Sequence, residues 1–146
     1  MPTTILDSHH CAWHAVIDGQ DILVRGALAS WFGGPNDPED DGQTASGVST
    51  RANPGIMGCA LPVPLTPKTM GSPLPKLPWQ TQVTVSTPGG LTLTVPLIDV
   101  GPALYTNHAI DLTTAAFIAL GGHLNDGLIS VDYRIPGAAS LVMGNT

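Results

Sequence analysis

The chain has very little positive charge. Its 146 residues include five Lys plus Arg against eleven Asp plus Glu, a formal net charge of −6. Five cations cannot build a basic patch, so no nucleic-acid partner is expected, and no anionic membrane surface either. Charge of either sign is scarce: charged residues make up 11% of the chain, where about a quarter is usual. Ser, Thr, Asn, Gln and backbone must therefore cover the surface, a pattern common in extracellular and particle-borne proteins. Cysteine is nearly absent too. Cys11 and Cys59 are too few for a disulfide framework or a cysteine-based zinc site. They permit one bridge, or two buried thiols. No apolar run approaches the ~20 residues of a membrane span, so membrane insertion is not expected. Residues 1–14 have neither the basic start nor the apolar stretch of a secretory leader, so none is expected in the numbered chain.

Glycine and proline are plentiful. Gly (17) and Pro (14) together exceed a fifth of the chain. Set between short β-prone runs, they read as tight turns. Hydrophobic residues, at 42%, suffice for one domain with a core. Residues 1–20 are expected to form a loosely packed N-terminal arm or interaction segment. That stretch gathers His9, His10, Cys11 and His14, donors that suit zinc, but in a spacing that fits no standard motif. No metal and no cofactor are expected.

Residues 22–32 (ILVRGALASWF) are β-prone, with Gly26 as a bend or bulge. A polar, turn-rich loop follows over 33–47. Its acidic stretch, Asp37, Glu39, Asp40 and Asp41, has the look of the first half of a calcium loop. Val48 stands where the bidentate glutamate belongs, so a solvated turn is the better reading. Residues 53–79 carry seven prolines; they read as a long excursion packed on the domain, because proline cannot donate to a β-ladder. Residues 80–86 and 91–95 both alternate polar and apolar side chains around Thr87-Pro88-Gly89-Gly90, the clearest hairpin in the chain. Residues 111–120 are the one convincing helix, with Asp111 or Thr113 as N-cap and Gly121-Gly122 as the stop. Residues 129–135 form a closing strand. The sum is a mainly β fold: a small barrel or sandwich with one or two short helices and long loops. The domain is expected over 21–137, with a C-terminal tail over 138–146.

An ordered series of short motifs carries a resemblance. It runs Ala29-Ser30-Trp31-Phe32-Gly33, Gln43-Thr44-Ala45-Ser46-Gly47, Ala60-Leu61-Pro62, Ile98-Asp99-Val100-Gly101-Pro102, Ile110-Asp111-Leu112-Thr113 with Ala115-Ala116-Phe117, then Val131-Asp132-Tyr133-Arg134-Ile135. The series resembles the six-stranded double-psi β-barrel of rare lipoprotein A, the barwins and the N-terminal domain of expansins, over roughly residues 26–136. The resemblance implies action on wall polysaccharide, peptidoglycan above all, outside the cell, in the periplasm or on a particle. Some relatives are lytic transglycosylases, some hydrolyse cellulose, some only bind walls and some inhibit proteases. Asp99 stands where transglycosylase members carry an important acid. Asp111 stands where expansin-like and cellulase-like members carry theirs. Two departures are plain. Val48 occupies the place of a glutamate that follows T-A-x-G in the transglycosylases, and Gly58 the place of a histidine.

Asp99 and Asp111 are therefore the candidate catalytic pair. Glycosidic cleavage needs a proton donor at the leaving oxygen, and a second carboxylate nearby raises the pKa of the first. Thr44, Ser46 and His108 can hydrogen-bond sugar hydroxyls; Trp31, Trp79 and Tyr105 can stack on sugar rings. The expected partner is a glycan strand. Three readings stand: a lytic transglycosylase, a non-catalytic glycan-binding module, and a structural, self-associating subunit of a particle or filament. Protease inhibition is a minor fourth.

Overall fold

Among the described residues, turns at glycine and proline separate eight strands and one short helix. The computed structural model describes residues 4–7, 11–34, 37 and 40–139. In chain order the elements are β1 (Thr4–Leu6), β2 (Ala15–Asp18), β3 (Asp21–Phe32), β4 (Cys59–Leu61), β5 (Gln82–Ser86), β6 (Thr92–Val100), β7 (Ile110–Thr113), α1 (Thr114–Ala119) and β8 (Ile129–Ile135). Single 3-10 turns lie at Leu104–Thr106 and Leu124–Asp126.

Six strands close on themselves in the order β3-β7-β4-β6-β5-β8, and β8 pairs back onto β3. Closure removes the open edges of these six strands, edges that invite unwanted pairing. Two pairs in the ring, β3 with β7 and β4 with β6, are parallel; the others are antiparallel. Inward residues fill the barrel: Ala27, Ala29, Cys59, Leu61, Val83, Val85, Val95, Leu97, Ile110 and Leu112 are all buried. Tyr133 is buried among them, and its hydroxyl donates to the Ala109 carbonyl at 2.9 Å, as a buried phenol requires.

The hairpin forms as its alternation implies, with Val83 opposite Val95 and Thr84 opposite Thr94. Gly26 adopts φ +63°, and the β3–β8 register slips between Val24 and Ala27, so the expected bulge is present. Both cysteines stay as thiols, Cys59 inside the barrel and Cys11 partly buried.

Three expectations need correction. The first concerns the helix, which is shorter than its sequence suggests. It starts at Thr114, and Asp111 is not its cap but a residue inside β7. β7 pairs with β3 on one edge and β4 on the other, and these ladders outweigh the helix preference of the Ala-rich run. Thr113 is the cap. Its hydroxyl accepts from Ala116 N and Gly58 N and donates to the Ile56 carbonyl, which fills its hydrogen-bonding capacity.

The second concerns the proline-rich excursion, which contains β4. Three residues are too few to show a period, yet they occupy the middle of the ring. The third concerns the first twenty residues. In their described part they are not loose: β1 and β2 extend the sheet outward from β3, and Trp13, Ala15 and Ile17 join the core. His9, His10 and Glu39 lie outside the described residues, as do positions 140–146 of the expected tail. Among the described residues, no helix is long and apolar enough to cross a membrane.

Candidate functional site

Strand register builds the site. Ser30 of β3 lies opposite Asp111 of β7, Asp111 lies opposite Ala60 of β4, and Ala60 lies opposite Asp99 of β6. Residues paired across a ladder point to the same face, so these four form one row on the outside of the barrel. Strands lie about 4.8 Å apart, which sets the two aspartates about 10 Å apart at the backbone. Ala60, small and buried, lies between them.

A bulge puts Asp99 in that row. One step along β4, from Cys59 to Ala60, matches two steps along β6, from Leu97 to Asp99. Without the extra residue, Asp99 would share the inward face of Leu97. With it, both Leu97 and Ile98 are fully buried and Asp99 turns outward. Bulges commonly re-aim side chains in this way.

The two acids have different surroundings. Asp99 Oδ1 accepts from the backbone N–H of Ala45 and of Val100, both at 2.9 Å. Burial raises its pKa, those two N–H groups oppose the rise, and the charges of Asp40 and Asp41 add to it. Among the described residues, Asp111 has a single hydrogen bond, from the Ser30 hydroxyl at 3.1 Å. Burial lifts its pKa to about 7; the Ser30 bond opposes this, while Asp99, Asp37 and Asp40 reinforce it. The charges that act on Asp111 most strongly are these three negative ones. Near neutral pH it is therefore a part-protonated carboxylic acid, the form that can donate a proton.

The acidic loop supplies the wall beside Asp99. Asp37, Asp40 and Asp41 each accept one backbone N–H, from Gly33, Gly42 and Gln43, and so shape the turn. Ser46 N donates to the Ile98 carbonyl at 3.2 Å, docking the loop on the β6 bulge. Thr44 and Ser46 thus stand next to the row, their hydroxyls bonded to each other and that of Thr44 also to the Val48 carbonyl.

The aromatic candidates divide. Trp31 follows Ser30 and so faces away from the row; its indole N–H donates to the Leu124 carbonyl at 3.2 Å, and its ring packs on the core. Trp79 also packs on the core. Tyr105, 76% exposed, and His108, half-buried, lie on the β6–β7 connection between the two acids in sequence. Ser30 and Ala60 stand in the motifs of the ordered series without a role; the pairing of β3, β7, β4 and β6 is what places them beside the acids.

Gly58 has little room for anything larger. A Cβ there would stand 2.8 Å from Ile98 Cδ1, so a histidine at this place requires the bulge residue to move.

A closed six-stranded ring with two parallel pairs is the double-psi β-barrel fold. Among solved structures the chain is similar to the Streptomyces papain inhibitor, with a TM-score of 0.50 and 24% identity, over 80% of this chain and 96% of that one. At that identity the likeness establishes the fold. No protein-family model matches the chain, and no curated protein does.

Proposed function

We propose that the protein acts on cell-wall polysaccharide outside the cell, peptidoglycan first, and cleaves glycosidic bonds with Asp111 as proton donor. The observation that carries this reading is a single carboxyl held part-protonated near neutral pH, one strand away from Ala60 and two from a second acid. A raised pKa on a partly exposed acid is costly for folding and useful for proton transfer. In the lytic reaction Asp111 gives its proton to the leaving oxygen as the C–O bond breaks. A hydroxyl of the same sugar then closes on the anomeric carbon and returns a proton to the Asp111 carboxylate. Asp99, its charge held by two backbone N–H groups, favours the positive charge that develops on the sugar. Val48 and Gly58 supply no polar side chain, so the acid–base work falls to this pair.

The test is digestion of purified sacculi at pH 5–7, with mass spectrometry of the soluble products. Anhydro-sugar fragments from the intact protein and none from Asp111→Asn are expected. Absence of any fragment from the intact protein would sink the reading and leave a binding module.

The structural neighbour, a papain inhibitor, prompts a second reading, inhibition of a papain-like protease through exposed loops such as that of Tyr105. It gives Asp111 no task and ranks second for that reason. Titration of papain with the protein decides it, since an inhibitor abolishes peptidase activity at a fixed stoichiometry.

A further inference from the structure

A well-formed cleft lies away from the acid row. It has a volume of about 540 Å³ and lies on the outer face of β2 and β3, lined by Trp13, His14, Val16, Asp18, Leu23 and Arg25 among others. Three observations tie it to the row. Leu23, Arg25, Leu28 and Ser30 follow one another along the outward face of β3, with the Gly26 bulge keeping the face continuous across the register slip. Leu28, between the two sites, is 41% exposed. The segment that walls the cleft also meets the β6–β7 connection, because Ala12 N donates to Asn107 Oδ1 at 3.1 Å. From Arg25 to Ser30 the strand spans about 15 Å at ~3.3 Å per residue.

The charge in the cleft is specific. Asp18 lies 3.5 Å from Arg134, which it shares with Asp21 at 2.8 Å, and His14 is bonded to Asp7 at 2.9 Å. Arg25 makes no ion pair among the described residues, in a chain with a net charge of −6. Val16 and Leu23 give the cleft an apolar floor.

We propose that this cleft is a subsite for the same polymer chain that the acid row binds, and that Arg25 there holds a carboxylate carried by the polymer. The proposal rests on the glycan reading and adds a substrate class to it: an acidic chain, engaged about 15 Å from the bond that is cleaved. A guanidinium matches a carboxylate with two parallel N–H···O bonds, and the apolar floor takes the face of a sugar ring. The β1–β2 extension is what builds this arm of the groove, since His14, Val16 and Asp18 belong to it.

The carboxylate can sit on the sugar or on an attached peptide, and two probes separate these sources. One is hexameric oligogalacturonate, compared with its methyl ester. The other is peptidoglycan strands with stem peptides kept or removed by an amidase. Amide shifts of His14, Val16, Leu23 and Gly26, followed by NMR on the intact chain, read the cleft directly. At least one free-acid probe is expected to move these resonances, the matching ester or peptide-free strand much less. Arg25→Ala is expected to weaken binding by about tenfold or more, as loss of a charge-assisted bond implies, and Asp111→Asn to leave the cleft shifts in place. Equal response to acid and neutral probes overturns the proposal, as do cleft resonances that stay still for every probe. If sacculi are digested while the cleft stays silent, the subsite alone fails. If the cleft binds acid probes in a protein that cleaves nothing, the glycosidic reading fails and the acidic binding site stands.

Discussion

Asp21 opens β3 and Asp111 lies in β7, the strand beside it, yet the barrel treats the two carboxyls in opposite ways. Asp21 accepts the Gly137 N–H at 3.0 Å and a guanidinium N–H of Arg134 at 2.8 Å, which hold its pKa below the usual value. Its partners favour the anion and tie the end of β8 to the start of β3. Asp111 has one neutral donor, burial, and negative neighbours, all but the donor opposing the anion. An acid placed for structure is given charges and N–H groups that match it. An acid left short of them is strained in its ionised form, and that strain suits proton transfer.

The comparison can be broken most severely by removing the proton. Asp111→Asn is expected to lower sacculus digestion by about 10²–10⁴-fold, the usual worth of a general acid, measured as soluble product per unit time. A variant that keeps more than a tenth of the activity assigns the chemistry elsewhere. The same substitution should stabilise the fold in alkaline solution. The folded pKa of Asp111 lies above the unfolded one, so its contribution is intact below pH about 4, is lost as pH rises toward about 7, and is absent above that. At pH 8, Asp111→Asn should gain on the order of 2–4 kcal/mol against the parent, and much less at pH 4, by urea unfolding at both values.

Asp21→Asn should do the reverse, costing about 1 kcal/mol at pH 7, since a partly exposed ion pair contributes little beyond its hydrogen bonds. Its pKa is lowered on folding, so this contribution is present above the unfolded value and lost as pH falls through the folded one. A cost that grows toward low pH contradicts the assignment. The smallest effects sharpen the acid row. Ser30→Ala removes the one bond that favours the Asp111 anion, and Asp99→Asn removes a negative neighbour. The Asp111 titration, followed by its ¹³Cγ shift, should move up in the first variant and down in the second, with the alkaline limb of activity moving alongside.

Some of this was legible in the residues. Alternating side chains around Thr87-Pro88-Gly89-Gly90 specify a hairpin locally, because period and turn chemistry agree within residues 80–95. Gly26 announced its bulge for the same reason. The β7–α1 boundary was not legible. Residues 111–120 look helical by themselves, and only pairing with β3 and β4 draws Asp111 into a strand. β4 was hidden because a three-residue strand between prolines has no period to detect.

The sequence by itself determined that this is a turn-rich, mainly β domain of low charge with acids at positions 99 and 111. These properties follow from composition, local periodicity and ordered motifs. The tertiary structure decided that the acids share a face. A bulge at Ile98 turns Asp99 outward, and strands far apart in the chain bring Ser30, Asp111, Ala60 and Asp99 into one row. It also decided their protonation, since a carboxyl's pKa depends on burial and on neighbours that only folding assembles.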